Sequence, residues 1–201
     1  MQALERPDVR KALETADMVT ADGMPIVWLQ RRGGAEFAER VYGPDILLAL
    51  CERTSHQGLR HYFLGGDPGA ADELAAAMKQ RFPGIQIAGT ASPKIVQYTL
   101  DTNLVQQILD TSPHVIWVGL GSPKQDLWMA HHKSNLPVLM IGVGAAFDFL
   151  TGRKRQAPQW MRQRGLEWLY RLVQEPRRLW RRYVFYNALF LWKLVRTRQL
   201  P

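Results

Sequence analysis

Cysteine is nearly missing from this chain: one of 201 residues, Cys51. No internal disulfide can form, so packing alone must hold the fold, which suits a reducing compartment. Also missing is an apolar run of membrane-spanning length. The longest uncharged stretch of the basic tail, Tyr183 to Trp192, is ten residues, about half of what a spanning helix needs. No opening segment has the basic, apolar, small-residue order of a secretion signal. The expectation is a protein that does not cross a membrane. The motif inventory is equally thin, with no H-E-x-x-H, C-x-x-C, D-x-D or G-x-S-x-G. Neither a zinc site nor an aspartate pair holding a metal and a nucleotide diphosphate is expected, and no cofactor is called for. G-x-G-x-x-G and G-x-x-x-x-G-K-[ST] are absent as well, which argues against a dinucleotide or P-loop site.

Acidic residues are scarce in one region only. Residues 1 to 151 hold 13 Lys and Arg against 16 Asp and Glu, whereas residues 152 to 201 hold 13 against 2. The whole net charge of +8 therefore originates in the last quarter. That quarter also carries Trp160, Trp168, Trp180 and Trp192 among several Tyr and Phe. Cations interleaved with aromatics suit an anionic membrane surface, a nucleic acid or a phosphorylated ligand. With 46% apolar residues, the chain can bury a full core, and one domain (1–151) with an appendage (152–201) is expected.

The stretch from His114 to Gly152 organises the rest. Its two apolar runs, Val115 to Val118 and Val138 to Val143, each empty into a glycine-rich turn and are separated by about 20 residues, room for a parallel crossover. Ligands in such sheets gather at the carboxyl ends of strands. This singles out Gly119-Leu-Gly-Ser-Pro-Lys-Gln125 and Gly142-Val-Gly-Ala-Ala-Phe-Asp148, and with them Gly119, Gly121, Lys124, Gln125, Gly142 and Asp148.

In chain order, Arg6 to Asp17 reads as a helix. Met18-Val-Thr-Ala-Asp-Gly23 reads as a short strand closing on a tight turn with Gly23 at its bend. That turn can hold Asp22 at a strand end, although from the residues alone a turn or cap role is the favoured reading of Asp22. Helices are expected over Met24 to Gln30 and Ile46 to Thr54. Arg40, between them, reads by itself as a surface arginine. His61 to Leu64 is a strand that opens into Gly65-Gly-Asp-Pro-Gly69 and a helix from about Ala70 to Phe82. There Gly66 and the helix N-terminus could face a phosphate. Ile85 to Ala88 is a strand and Asp101 to Leu109 a helix. His131 and His132 read as packing or surface residues. The alternation predicts a Rossmann-like, doubly wound, mostly parallel α/β sheet of about five strands with a basic, aromatic, helical C-terminal appendage. Within that appendage Leu166, Leu169, Tyr170 and Val173 share one helix face, with Glu167 and Arg171 spaced for a surface ion pair. From Pro176, Leu179, Trp180, Tyr183, Val184, Phe190, Leu191, Leu194 and Val195 form a second apolar face flanked by cations, suited to a membrane interface or to docking on the core or on another subunit.

Ala21-Asp-Gly23, Glu39-Arg-Val-Tyr-Gly-Pro-Asp45, the two glycine turns, Ala157-Pro-x-Trp160, Gly165-Leu-Glu-Trp-Leu-Tyr-Arg-Leu172 and Glu175-Pro-Arg-Arg-Leu-Trp-Arg-Arg-Tyr183 occur in this order. Together they resemble the WecG/TagA/CpsF family of bacterial glycosyltransferases from about Pro7 to the end. The resemblance implies an inverting enzyme that moves an N-acetylmannosamine-type sugar from a UDP donor to a polyprenyl-diphosphate-linked N-acetylglucosamine, in the cytoplasm and peripheral on the inner face of the cytoplasmic membrane. It implies Asp22 as general base, Arg40 on the diphosphate or leaving group, and Gln125 on donor or acceptor. Arg171, Arg178 and Arg181 would fold over the donor diphosphate. Family members carry a further strand and a Thr-x-Asn element before the point matching Met1, so the chain reads as shortened at its start. Donors such as UDP-N-acetylmannosaminuronic acid, UDP-glucose or another hexose stay open, as does a homo-oligomer. A nucleic-acid-binding module would explain the tail but leave the aspartate and glycine turns without a purpose, and no nucleic-acid partner is expected. A nucleotide-binding oxidoreductase would need a different glycine fingerprint.

Overall fold

A computed structural model describes residues 6–93, 101–177 and 179–180. Among them the order is α1 (Pro7–Glu14), α2 (Met24–Arg32), α3 (Gly43–Thr54), β1 (Arg60–Gly65), α4 (Ala70–Arg81), β2 (Gln86–Ala91), α5 (Thr102–Asp110), β3 (Val115–Gly119), α6 (Lys124–His132), β4 (Leu139–Gly142), α7 (Ala146–Leu150), α8 (Gln159–Gln163) and α9 (Glu167–Gln174). Prolines in the first turns of α1, α2 and α3 suit helix starts, where an N–H has no helical partner anyway.

Chain contacts divide the described residues into two compact units. The larger contains residues 6–19 and the described part of Tyr42–Arg155; the smaller joins Thr20–Val41 to the described residues from Gln156 onward.

The larger unit is a four-stranded, all-parallel sheet in the order β2-β1-β3-β4. Its central strands read as continuous apolar runs because both faces are covered. Phe63, Val115 and Trp117 pack with Leu47 of α3, Leu74 and Met78 of α4 and Phe147 of α7 on one face. Tyr62, Leu64, Ile116 and Val118 pack with Leu104 and Ile108 of α5 and Trp128 of α6 on the other. Helices thus lie on both faces, as a doubly wound, Rossmann-like sheet requires. Each fully buried side chain such as Phe63, Leu64 or Ile116 contributes about 1.5–3 kcal/mol. Cys51 belongs to this core, where burial pushes its thiol up to about 12 and leaves it unreactive.

The strand order reverses between β1 and β3. From β1 the chain moves outward through α4 to β2, returns through α5 to β3, and moves the other way through α6 to β4. Gly65 pairs with Gly119 in register, so both strands end level at this switch point. That is where sheets of this kind open a crevice for a ligand.

One expected strand does not form. Met18 and Val19 are outside any strand, and they are 80% and 59% exposed. Two apolar residues make a strand only against a partner edge, and no described strand takes them. The described sheet consequently has four strands rather than five. In the smaller unit α9 does form over the predicted amphipathic turn, but Leu169 and Val173 remain exposed. Most of the expected second apolar face, including Tyr183, Val184, Phe190, Leu191, Leu194 and Val195, lies outside the described residues.

Candidate active site

In the larger unit the carboxyl ends of β1, β3 and β4 gather the glycine turns predicted from sequence. Gly66 N–H donates to Gly119 O at 3.1 Å, tying the first two turns together. Several of these glycines are explained by close packing. A Cβ on Gly66 would lie 2.7 Å from Cβ of Ala70, and one on Gly119 would lie 3.0 Å from the ring of Phe147. Gly121 shares with Gly66 a φ of +75°, which favours glycine, but the space beyond it is open. Gln125 N–H then returns to Gly121 O at 2.9 Å, starting α6 with Lys124 exposed in its first turn.

Gln125 reaches across to the last turn. Its Oε1 accepts from Gly144 N–H at 2.9 Å, and since a backbone N–H must meet the carbonyl oxygen, its Nε2 is directed over Gly142. A Cβ at Gly142 would stand 2.7 Å from that nitrogen, so the glycine makes room for the amide. Asp148, buried in α7, is paired with Lys154 Nζ at 2.7 Å and so anchors the segment after the helix. His132, read from sequence as a packing or surface residue, is buried and stacked on Trp128 at 4.2 Å, with burial lowering its pKa.

The smaller unit holds the charged cluster. Val41 N–H donates to Ala21 O at 2.9 Å, which brings the neighbouring Asp22 and Arg40 side by side despite the helix between them. Arg40 Nε donates to the backbone oxygen of Asp22 and, at 3.3 Å, to its Oδ1; Arg40 Nη2 also reaches Oδ1 at 3.1 Å. The same Nη2 donates to Glu167 Oε2 at 2.7 Å, 127 residues further along the chain. Arg40 and Glu167 are shielded, at 16% and 13% side-chain exposure, whereas Asp22 is 67% exposed.

Gly165 explains how Glu167 gets there. It sits at φ +71°, and a Cβ would come within 3.0 Å of the Trp28 ring and 3.2 Å of Met24 Cβ. The chain can therefore turn sharply against α2 and begin α9 two residues later with Glu167 in its first turn, a favourable end for a carboxylate.

Desolvation raises the Asp22 carboxyl above the ordinary aspartate value, while Arg40 and, at longer range, Arg171 of α9 oppose it. Two thirds of its side-chain surface faces water, so the carboxylate is open to an incoming hydroxyl. Burial works against the Arg40 charge, but the bond to Glu167 and the charge of Asp22 outweigh it and hold the guanidinium above its usual value.

Asp22, Gly23, Arg40 and Arg171 thus fall in the smaller unit, with Gly23 capping α2. Gly66, Gly119, Gly121, Lys124, Gln125, Gly142 and Asp148 fall in the larger one. Arg178 and Arg181 lie outside the described residues. Glu167 was not singled out from sequence as a site residue, because its only local signal is the spacing to Arg171. Among the described residues no group of three or more His, Cys, Asp and Glu could hold a metal ion.

An open carboxylate beside a fixed guanidinium can take a proton from a hydroxyl and balance charge on an anionic group. Comparison with known proteins gives that chemistry a setting. The N-acetylglucosaminyldiphosphoundecaprenol N-acetyl-beta-D-mannosaminyltransferase of Bacillus spizizenii is 28% identical over 182 residues, covering 90% of this chain and 69% of the relative. The enzyme of the same name from Bacillus subtilis is 27% identical over 181 residues, with the same coverage of 90% and 69%. A family model matches residues 1–200, and on that match the chain belongs to the glycosyl transferase WecG/TagA/CpsF family.

Proposed function

We propose that this chain transfers an N-acetylmannosamine-type sugar from a UDP donor to a polyprenyl-diphosphate-linked N-acetylglucosamine, with inversion. The observation that carries the reading is the Asp22 carboxylate, open to solvent yet held beside Arg40. The acceptor is the one named for the Bacillus relatives. In this scheme the acceptor hydroxyl oxygen bonds to the anomeric carbon as the bond from that carbon to the UDP oxygen breaks. The hydroxyl proton passes to Asp22, a role typically worth about 10²- to 10⁴-fold. UDP departs with the bonding electron pair, and the negative charge it gains is met by guanidinium groups, which bind phosphates through fixed forks of donors. Arg40 and Arg171 supply such groups, and Arg178 and Arg181 would add two more.

The same reading puts the C-terminal segment at the inner face of the cytoplasmic membrane. Trp160, Trp168 and Trp180 are exposed in the part of the chain that carries the basic excess, a combination that favours an anionic lipid interface. No helix among the described residues is long and apolar enough to cross a membrane.

The test is a screen of UDP-sugars for UDP release on a short-chain diphospholipid-linked N-acetylglucosamine. Acceptor-dependent release with UDP-N-acetylmannosamine is expected. Preference for UDP-N-acetylmannosaminuronic acid, UDP-glucose or another hexose would correct the donor. Absence of acceptor-dependent release with any sugar nucleotide would overturn the reading.

A further inference from the structure

The reaction as written gives Glu167 no task, yet the chain is arranged to put it in one place. The left-handed turn at Gly165 packs against Trp28 and Met24, and α9 begins so that Glu167 meets Arg40. Between the ion pairs of Arg40 to Glu167 and to Asp22, the one to Glu167 is shorter, 2.7 Å against 3.1 Å. It is also the shielded one, since Glu167 is 13% exposed and Asp22 67%. Charges screened from water attract more strongly than exposed ones. Of these two, Glu167 is therefore the firmer attachment of Arg40 and the Asp22 carboxylate the looser.

That asymmetry bears on what Asp22 can do. An aspartate alone with an arginine becomes a weak base, because the positive neighbour favours its ionised form. Burial is the main influence in the other direction; of the charged groups acting on Asp22, Arg40 and Arg171 weaken it as a base and Glu167 strengthens it. We infer that Glu167 is a positioning residue for the transfer: anchored in α9, it fastens Arg40 and offsets its charge, leaving the Asp22 carboxylate free to take the acceptor proton. The inference rests on the reading of Asp22 as the base.

The experiment compares the full chain with Glu167→Gln and Glu167→Asp. The glutamine retains an oxygen to accept from Arg40 and removes only the charge; the aspartate retains the charge on an arm shorter by one methylene. The pH profile of kcat/KM is followed by UDP release, after thermal melting shows that each variant is folded. For Glu167→Gln the acid limb should move to lower pH and kcat should fall by about 10- to 100-fold with little change in donor KM. For Glu167→Asp the limb should stay at the wild-type pH while turnover drops. A Glu167→Gln enzyme whose limb and kcat coincide with wild type would overturn the inference, as would equal losses in both variants with unmoved limbs. Where the glutamine variant does not fold, the aspartate variant decides: reduced turnover at an unmoved limb supports the inference, and undiminished turnover overturns it. Carbon-13 titration of the Asp22 carboxyl, assigned by its loss in Asp22→Asn, reads the same coupling without turnover. If wild type transfers no sugar, the functional reading fails, and this titration still decides whether Glu167 governs Asp22.

Discussion

Arg40 carries more geometric demand than any other single side chain in the cluster, because one fork must reach a backbone oxygen and two carboxylates. Lysine presents a point charge and cannot reproduce that fork. Arg40→Lys should therefore lower kcat by about 10-fold or more although the formal charge is kept, and Arg-like turnover in the lysine variant would contradict the assignment. Gly165 is the second critical residue. Alanine there would have to hold a φ of +71° with its methyl against Trp28 and Met24, a strain of about 1–3 kcal/mol. Gly165→Ala should melt at lower temperature and lose turnover through displacement of Glu167; calorimetry and the UDP-release assay read the two effects separately, and an unaltered melting temperature would contradict the strain. Asp22 and Arg40 were legible as candidates from sequence only through the family resemblance, since each alone reads as an ordinary turn or surface residue. Glu167 was not legible, because its partner is 127 residues away and no local spacing encodes that contact.

Between elements, a buried polar bridge joins β1, β3 and α3. Trp117 Nε1 donates to His61 Nδ1 at 3.1 Å, so His61 in its neutral form carries its proton on Nε2, which faces Thr54 Oγ1 at 2.9 Å; Thr54 in turn donates to Leu50 O at 2.6 Å. His61 is fully buried, and burial, then the neighbouring His114, lowers its pKa from 6.5 to about 4. The unfolded chain therefore takes up a proton near pH 6.5 that the folded chain refuses until about pH 4. The stabilisation is complete above that range and is lost as pH falls through it, to a total on the order of 3 kcal/mol. His132, also lowered by burial, contributes with the same sign. Denaturant unfolding across this range should show stability rising with pH, with a shallower rise in His61→Phe; equal slopes would contradict the bridge. The strands that carry this bridge were legible from sequence because a parallel strand covered on both faces is a short apolar run ended by glycine. Met18-Val19 carried the same apolar signal without a partner edge, which is why that reading failed. The polar bridge itself gave no sequence signal, since His61 and Trp117 look like any residues of a buried run.

At the scale of the whole molecule, the charge division between residues 1–151 and 152–201 sets the main expectation. A tail with 13 cations and 2 anions gains about 1 kcal/mol per cation near an anionic surface, an attraction that salt weakens. Deleting residues from about 175 onward should abolish flotation with anionic vesicles and reduce transfer, because lipid contact and Arg178 and Arg181 go together. Retention of both properties would refute the coupling. Four of the five expected strands were readable from alternation alone, and the family became readable only when several weak motifs occurred in one order.

The most direct measurement is kcat for UDP release by Asp22→Asn, taken with donor dissociation measured by calorimetry on the same preparation. The account predicts turnover lower by about 10²- to 10⁴-fold with donor affinity unchanged, whereas near wild-type turnover in the asparagine variant would contradict it.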